Sequence, residues 1–246
     1  IRDRCHTVGH SSQCINTGAL IAVKPSVEIA CFNIKDAIEA SIAGADRIEF
    51  CSSYQDGGLS PDPSDLYQLL QQVKIPVVVM LRIRKGSFEY TDEEHKEHIK
   101  KLQSYLTLGA KEFVYGSLTS SHTINIHQLK DLLGYIKPSQ LTFHRAVDQS
   151  KPYNQNVKIL SELGIKRLLS SGAKDQAVLG LPKLLKIHQL YGSTMEIMPG
   201  GGIRSGLWNQ VFKNRPFRSY HSACWNFESQ SMDYEELYRF INCVHA

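Results

Sequence analysis

Gly44-Ala45-Asp46-Arg47-Ile48-Glu49-Phe50, running into Cys51, is the stretch on which the fold turns. A helical run stops at glycine, passes a short polar turn and enters a strand. The same phrase returns as Gly109-Ala110-Lys111-Glu112-Phe113-Val114-Tyr115 and as Gly164-Ile165-Lys166-Arg167-Leu168-Leu169-Ser170. A helix closed by glycine and followed at once by an apolar strand is the αβ half of a βα repeat. The copies lie about two units apart, at the ~31 residues per unit expected when ~250 residues are divided among eight βα units. They mark every second strand of one barrel.

Strands are expected at Val27–Cys31, Arg47–Cys51, Pro76–Ile83, Glu112–Gly116, Gln140–His144, Arg167–Ser170, Met195–Met198 and Phe217–His221. Helical patterns separate them: Ile38 and Ile42 at i,i+4 before Gly44, a capping-box-like start at Thr91, and a closing helix from Tyr234 to Val244. Eight strands alternating with eight helices imply a parallel sheet, and 246 residues suit its closure into a single-domain α/β fold, a (β/α)8 TIM-like barrel over residues 25–246. The rival doubly wound sheet lacks a G-x-G-x-x-G after the first strand. Residues 1–24 are loop-like and are expected to form a disordered tail. Their Cys5, His6, His10 and Cys14 have a spacing that matches no zinc module.

An apolar fraction of 42%, a charged fraction of 21% and a net charge of +4 describe an ordinary globular chain. The densest charged run, Asp92 to Lys101, mixes signs at helical spacing, which gives no support for nucleic-acid binding. No apolar run approaches the ~18 residues of a membrane span. Six irregularly placed cysteines without a leading signal-peptide pattern point to reduced thiols in a cytoplasmic setting.

In such a barrel the chemistry sits at the C-terminal ends of the strands. Strand alternation puts Arg47, Glu49 and Cys51 on one face, with Ile48 and Phe50 on the other. By the same parity Glu28 goes with Ala30, Arg82 and Arg84 with Met80, and His144 with Thr142. Glu28, Glu49, Arg82, Arg84 and His144 are therefore candidate catalytic groups converging in one mouth, the alternative being a buried ion-pair plug. Arg145 and His221 are further polar tips. The run Gly200-Gly201-Gly202 and the tip Ser171-Gly172 are candidate anion-binding segments, since glycines let backbone N–H groups face a ligand. Cys31 and Cys51 end neighbouring strands about 4.8 Å apart, a pair of soft donors suited to Cu(I). Parity places Cys31 with Val27 and Ile29, so the thiols converge only if strand 1 ends or bulges before it. Cys224 is a weaker third thiol.

Glu28-Ile-Ala-Cys31, Gly57-Gly-Leu-Ser-Pro61, Met80-Leu-Arg-Ile-Arg84, Thr142-Phe-His-Arg-Ala-Val-Asp148, Leu169-Ser-Ser-Gly172 and Met198-Pro-Gly-Gly-Gly202, together with the first two glycine phrases, give a chain that resembles the CutC copper homeostasis family from Val27 to about His221. The resemblance implies a TIM-like barrel, a cytoplasmic protein found also in the nucleus of eukaryotes, self-association as a dimer or tetramer, and copper tolerance through Cu(I). It also implies Cys31 and Cys51 as the copper ligands. The chain departs from the family pattern at Ile83 and Lys85, where Pro and Gly are usual, and at His221-Ser-Ala-Cys-Trp225, which lacks an arginine.

Two functions follow. One is Cu(I) binding through Cys31 and Cys51. The other is a metal-independent lyase or isomerase acting on a small anionic or phosphorylated substrate, with carboxylate and His144 as acid and base and the arginines as clamp. No lysine at an inward strand position supports a Schiff-base aldolase.

Overall fold

The computed structural model describes residues 24–246; the expected tail and its Cys5, His6, His10 and Cys14 lie outside the described residues. Eight parallel strands follow in order: β1 (Ser26–Cys31), β2 (Arg47–Phe50), β3 (Val77–Met80), β4 (Glu112–Tyr115), β5 (Leu141–Phe143), β6 (Arg167–Ser170), β7 (Glu196–Pro199) and β8 (Ser219–Ser222). Neighbours in sequence are neighbours in the sheet, and β8 returns to pair with β1. Between β7 and β8 the ladder narrows to one bridge, Gly200 to His221, which closes the (β/α)8 barrel.

Helices α1 (Ile34–Ile42), α2 (Pro63–Gln72), α3 (Asp92–Thr107), α4 (Ile126–Leu132), α5 (Ala146–Gln149), α6 (Tyr153–Glu162), α7 (Ala177–Tyr191), α8 (Ser205–Leu207) and α9 (Tyr234–His245) form the outer layer. Their starts carry the expected chemistry. Asn33 and Asp62 accept backbone N–H groups at the heads of α1 and α2, and Thr91 with Glu94 makes a full capping box on α3. Gly44, Gly109 and Gly164 take φ of +93°, +96° and +74°, the left-handed turn that ends α1, α3 and α6 and redirects the chain into a strand. The repeated phrase is thus a helix stop built three times.

The strand alternation holds through β1 and β2. Val27, Ile29, Cys31, Ile48 and Phe50 join the main core under the helices, whereas Cys51, Val78, Met80 and Val114 form a separate cluster inside the barrel. The floor of the barrel is polar. Arg47 pairs with Glu28, Arg167 lies 3.1 Å from Glu196 and 3.7 Å from Glu112, and Arg167 donates to Thr142 Oγ1 at 3.0 Å.

Two local departures from the expected pattern have clear causes. β3 ends at Met80 rather than Ile83 because Arg82 exchanges bonds with Ser60 in the loop after β2, its N–H donating to Ser60 Oγ and its carbonyl accepting from Ser60 N. After β8 a short antiparallel hairpin, β9 (Trp225–Asn226) with β10 (Ser231–Met232), folds beside the mouth.

Candidate functional site

A cavity of about 370 Å³ opens inside the C-terminal ends of the strands. Its wall includes Glu49 of β2 and Cys51 just after it, Met80 of β3 and Arg82 beyond it, His144 after β5, and His221 from β8. Phe32, Tyr54 and Phe88 supply an apolar rim. Tyr54 stacks on Trp225 of the hairpin at 4.0 Å with 9° between the rings, so the loop after β2 and the hairpin after β8 brace one side of the entrance.

Glu49 is buried and its Oε2 lies 2.8 Å from His221 Nε2. Burial opposes a charged imidazole there, but Glu49 and then Glu28 outweigh it and pull the His221 pKa upward. Glu28 lies deeper, fully buried, with its Oε2 held by Arg47. Burial disfavours its charge as well, yet Arg47, Arg167 and His221 bring its pKa below the ordinary carboxylate value. Glu28 and Arg47 therefore belong to the ion-pair floor, one layer below the open mouth, which corrects the expectation that all the charged tips face one space.

Arg82 lines the cavity but its guanidinium is committed to the loop after β2: Nη1 donates to the carbonyls of Asp56 at 2.8 Å and Gly57 at 3.1 Å. Arg84 does not reach the mouth. With β3 already finished, parity no longer governs its direction; it pairs with Glu94 of α3, lies over the Tyr90 ring and is 36% exposed. His144 is buried, and its Nδ1 accepts from Ala146 N at 3.2 Å, leaving the proton on Nε2, which finds no partner among the described residues. Burial, reinforced by Arg82, pushes its pKa down to about 3, so the ring is neutral at physiological pH.

The two thiols separate. Cys51 faces the cavity, while Cys31 packs in the outer core with its Sγ 3.6 Å from the Ile29 carbonyl. β1 stays regular through Cys31, which pairs in register with Phe50, so no bulge turns its side chain inward. Cys224 also joins the outer core, with Sγ 3.5 Å from Ser222 Oγ. Burial and then Glu49, Cys31 and Glu28 raise the Cys51 pKa well above the thiol range, so it is a protonated thiol. Met80 is its neighbour: a Cβ added at Gly58 would stand 3.5 Å from Cys51 Sγ and 3.7 Å from Met80 Cε. The bare glycine leaves the space above both side chains open.

The expected anion segments divide too. At the tip of β6 the Asp148 carboxylate already accepts from Ser171 N, Ser171 Oγ and Ala173 N, each at 2.9 Å. Gly172 N is likewise used, donating to Ser170 Oγ at 2.9 Å. An internal anion fills that nest, which corrects the expectation for Ser171 and Gly172. Gly200 is consumed by the sheet, its N–H donating to Ser170 O of β6 while it bridges to His221 of β8. Gly201 and Gly202, with φ of +106° and +74°, do face the cavity beside Arg145.

Residues 25–225 match the family model described as the CutC family. The chain belongs to the CutC family. A human relative named copper homeostasis protein cutC homolog is 30% identical over 85% of this chain and 76% of its own length. The Drosophila melanogaster protein of the same name is 33% identical over 84% of this chain and 77% of its own. Among solved structures, a putative copper homeostasis protein CutC from Streptococcus agalactiae superposes with a TM-score of 0.75 at 24% identity, covering 81% of this chain and 98% of that one. Phosphoribosylanthranilate isomerase from Thermotoga maritima, at 11% identity and a TM-score of 0.58, shares the barrel fold.

Proposed function

We propose that this CutC-family chain handles copper as Cu(I), which it takes into the barrel mouth at the Cys51 thiolate with the Met80 thioether as the second soft donor. The observation that carries the reading is the placement of these two sulfur side chains in one packed cluster in the cavity wall beneath the bare backbone of Gly58. Thiolate and thioether ligands select Cu(I) over harder ions, and the metal's arrival releases the thiol proton. Cys31, on the helix side of β1, is not a ligand in this reading. A reducing cytoplasmic setting goes with it, because a buried thiol must stay reduced to serve.

The metal-independent enzyme draws less support. Arg84 is tied to Glu94, Arg82 to loop carbonyls, and the β6 nest to Asp148. Anaerobic titration of Cu(I) against a competing chromogenic chelator tests the copper reading. The wild type should hold one equivalent that Cys51→Ala loses, that Met80→Leu holds at least tenfold more weakly and that Cys31→Ala keeps. Retention of that equivalent by Cys51→Ala refutes the proposal.

A further inference from the structure

Just below the sulfur pair lies a second, chemically different donor set. One oxygen from each of Glu28 and Glu49 and a ring nitrogen of His221 lie within 4.8 Å of one another. His221 Nε2 stands 2.8 Å from Glu49 Oε2 and 4.0 Å from Glu28 Oε1. We propose that these three residues hold a divalent first-row cation of the Zn2+, Co2+ or Mn2+ type at the base of the cavity, apart from the Cu(I) position at Cys51.

The strand register builds the site. Glu28 of β1 lies opposite both Arg47 of β2 and His221 of β8, and Glu49 is one inward position further along β2. Three adjacent strands therefore fix the three donors, which is the rigid placement that cation coordination requires. Two buried oxygens support the assignment. Glu28 Oε1 and Glu49 Oε1 have no hydrogen-bond partner among the described residues, although Glu28 is fully buried and Glu49 is only 4% exposed. A buried carboxylate oxygen without a partner is costly, and a cation between the two relieves both. Arg47 holds the other Glu28 oxygen and so positions it.

Access comes from above, since Glu49 and His221 line the cavity while Glu28 closes the base. Two carboxylates and one imidazole suit a borderline divalent ion; Cu(I) prefers sulfur, and Ca2+ takes six to eight oxygens. Three protein ligands leave a coordination position open toward the cavity for water or a small ligand.

The inference stands independently of the copper reading, and Co2+ as a spectroscopic probe tells the two apart. Titration of the full chain with Co2+ should yield one equivalent with visible ligand-field absorption and no thiolate-to-metal charge-transfer band. Glu49→Gln and His221→Gln should each weaken that equivalent at least tenfold, whereas Cys51→Ala leaves it intact. A Co2+-induced rise in melting temperature that is present in the wild type and in Cys51→Ala but absent in Glu49→Gln gives the same result without spectroscopy, and Glu28→Gln serves as the second variant should Glu49→Gln fold poorly. Unchanged Co2+ binding in the Glu49, His221 and Glu28 variants overturns the site. So does a charge-transfer band that vanishes with Cys51→Ala, which would assign the ion to sulfur.

Discussion

Cys51 N donates to the Cys31 carbonyl at 2.9 Å, so the two cysteines are as close in backbone as adjacent strands allow, yet their thiols enter different cores. One residue of register decides this, because a strand sends successive side chains to opposite faces. Strand alternation is legible in the sequence: it puts Arg47, Glu49 and Cys51 inward and Cys31 outward with Val27 and Ile29. It fails at Arg84 for a physical reason, since alternation lasts only as long as the strand and β3 stops at Met80. It also carries no depth, which is why Glu28 reads as a mouth residue although it lies in the floor, paired with Arg47. Arg47→Met leaves Glu28 buried without its partner and should destabilise the fold by about 3–5 kcal/mol, measured as a lowered urea midpoint with unchanged m. A loss under about 1 kcal/mol would mean that Arg167 takes over the pairing.

Among elements, the β6 tip shows how a segment that reads as an anion site serves the fold. Ser171-Gly172 has the composition of an anion nest, and an anion does occupy it, but that anion is Asp148 of α5, a helix too short to be recognised from periodicity. Asp148→Asn should destabilise the barrel by about 1.5–3 kcal/mol by weakening charge-assisted bonds to Ser170, Ser171 and Ala173, as a chemical unfolding curve would show. An unchanged curve would mean that the loop is held by other contacts.

Helix α3 offers a pH test. His98 is buried between the Tyr90 and Tyr115 rings, its Nδ1 donating to the Glu94 carbonyl at 2.9 Å. Burial is the main reason that its pKa falls to about 4 from 6.5. The unfolded chain protonates this ring first, so its contribution to stability is complete above about pH 6.5 and declines as pH falls toward about 4, by about 1.4 kcal/mol per unit. Comparing urea unfolding of wild type and His98→Phe near pH 7 and near pH 5 should show a shallower decline in the variant. Equal declines would assign the acid sensitivity elsewhere.

For the whole molecule, the three glycine phrases suffice to identify the barrel because each combines two local rules, a left-handed helix stop and a strand behind it. What they omit is what lies between the strands: the Arg82 exchange with Ser60 that shortens β3, and the β9–β10 hairpin whose Trp225 stacks on Tyr54. Both depend on contacts between residues far apart in sequence, and no local pattern encodes them. Together they give the mouth its form, with sulfur at the wall, paired charges at the base and aromatic rings at the rim. On the proposed reading the wall position belongs to copper. The most direct test is an anomalous-difference map at the copper edge from crystals loaded anaerobically with Cu(I). We predict one strong peak within bonding distance of Cys51 Sγ on the Met80 side of the cavity. A map with copper bound at Cys31 or elsewhere, and none at Cys51, would contradict it.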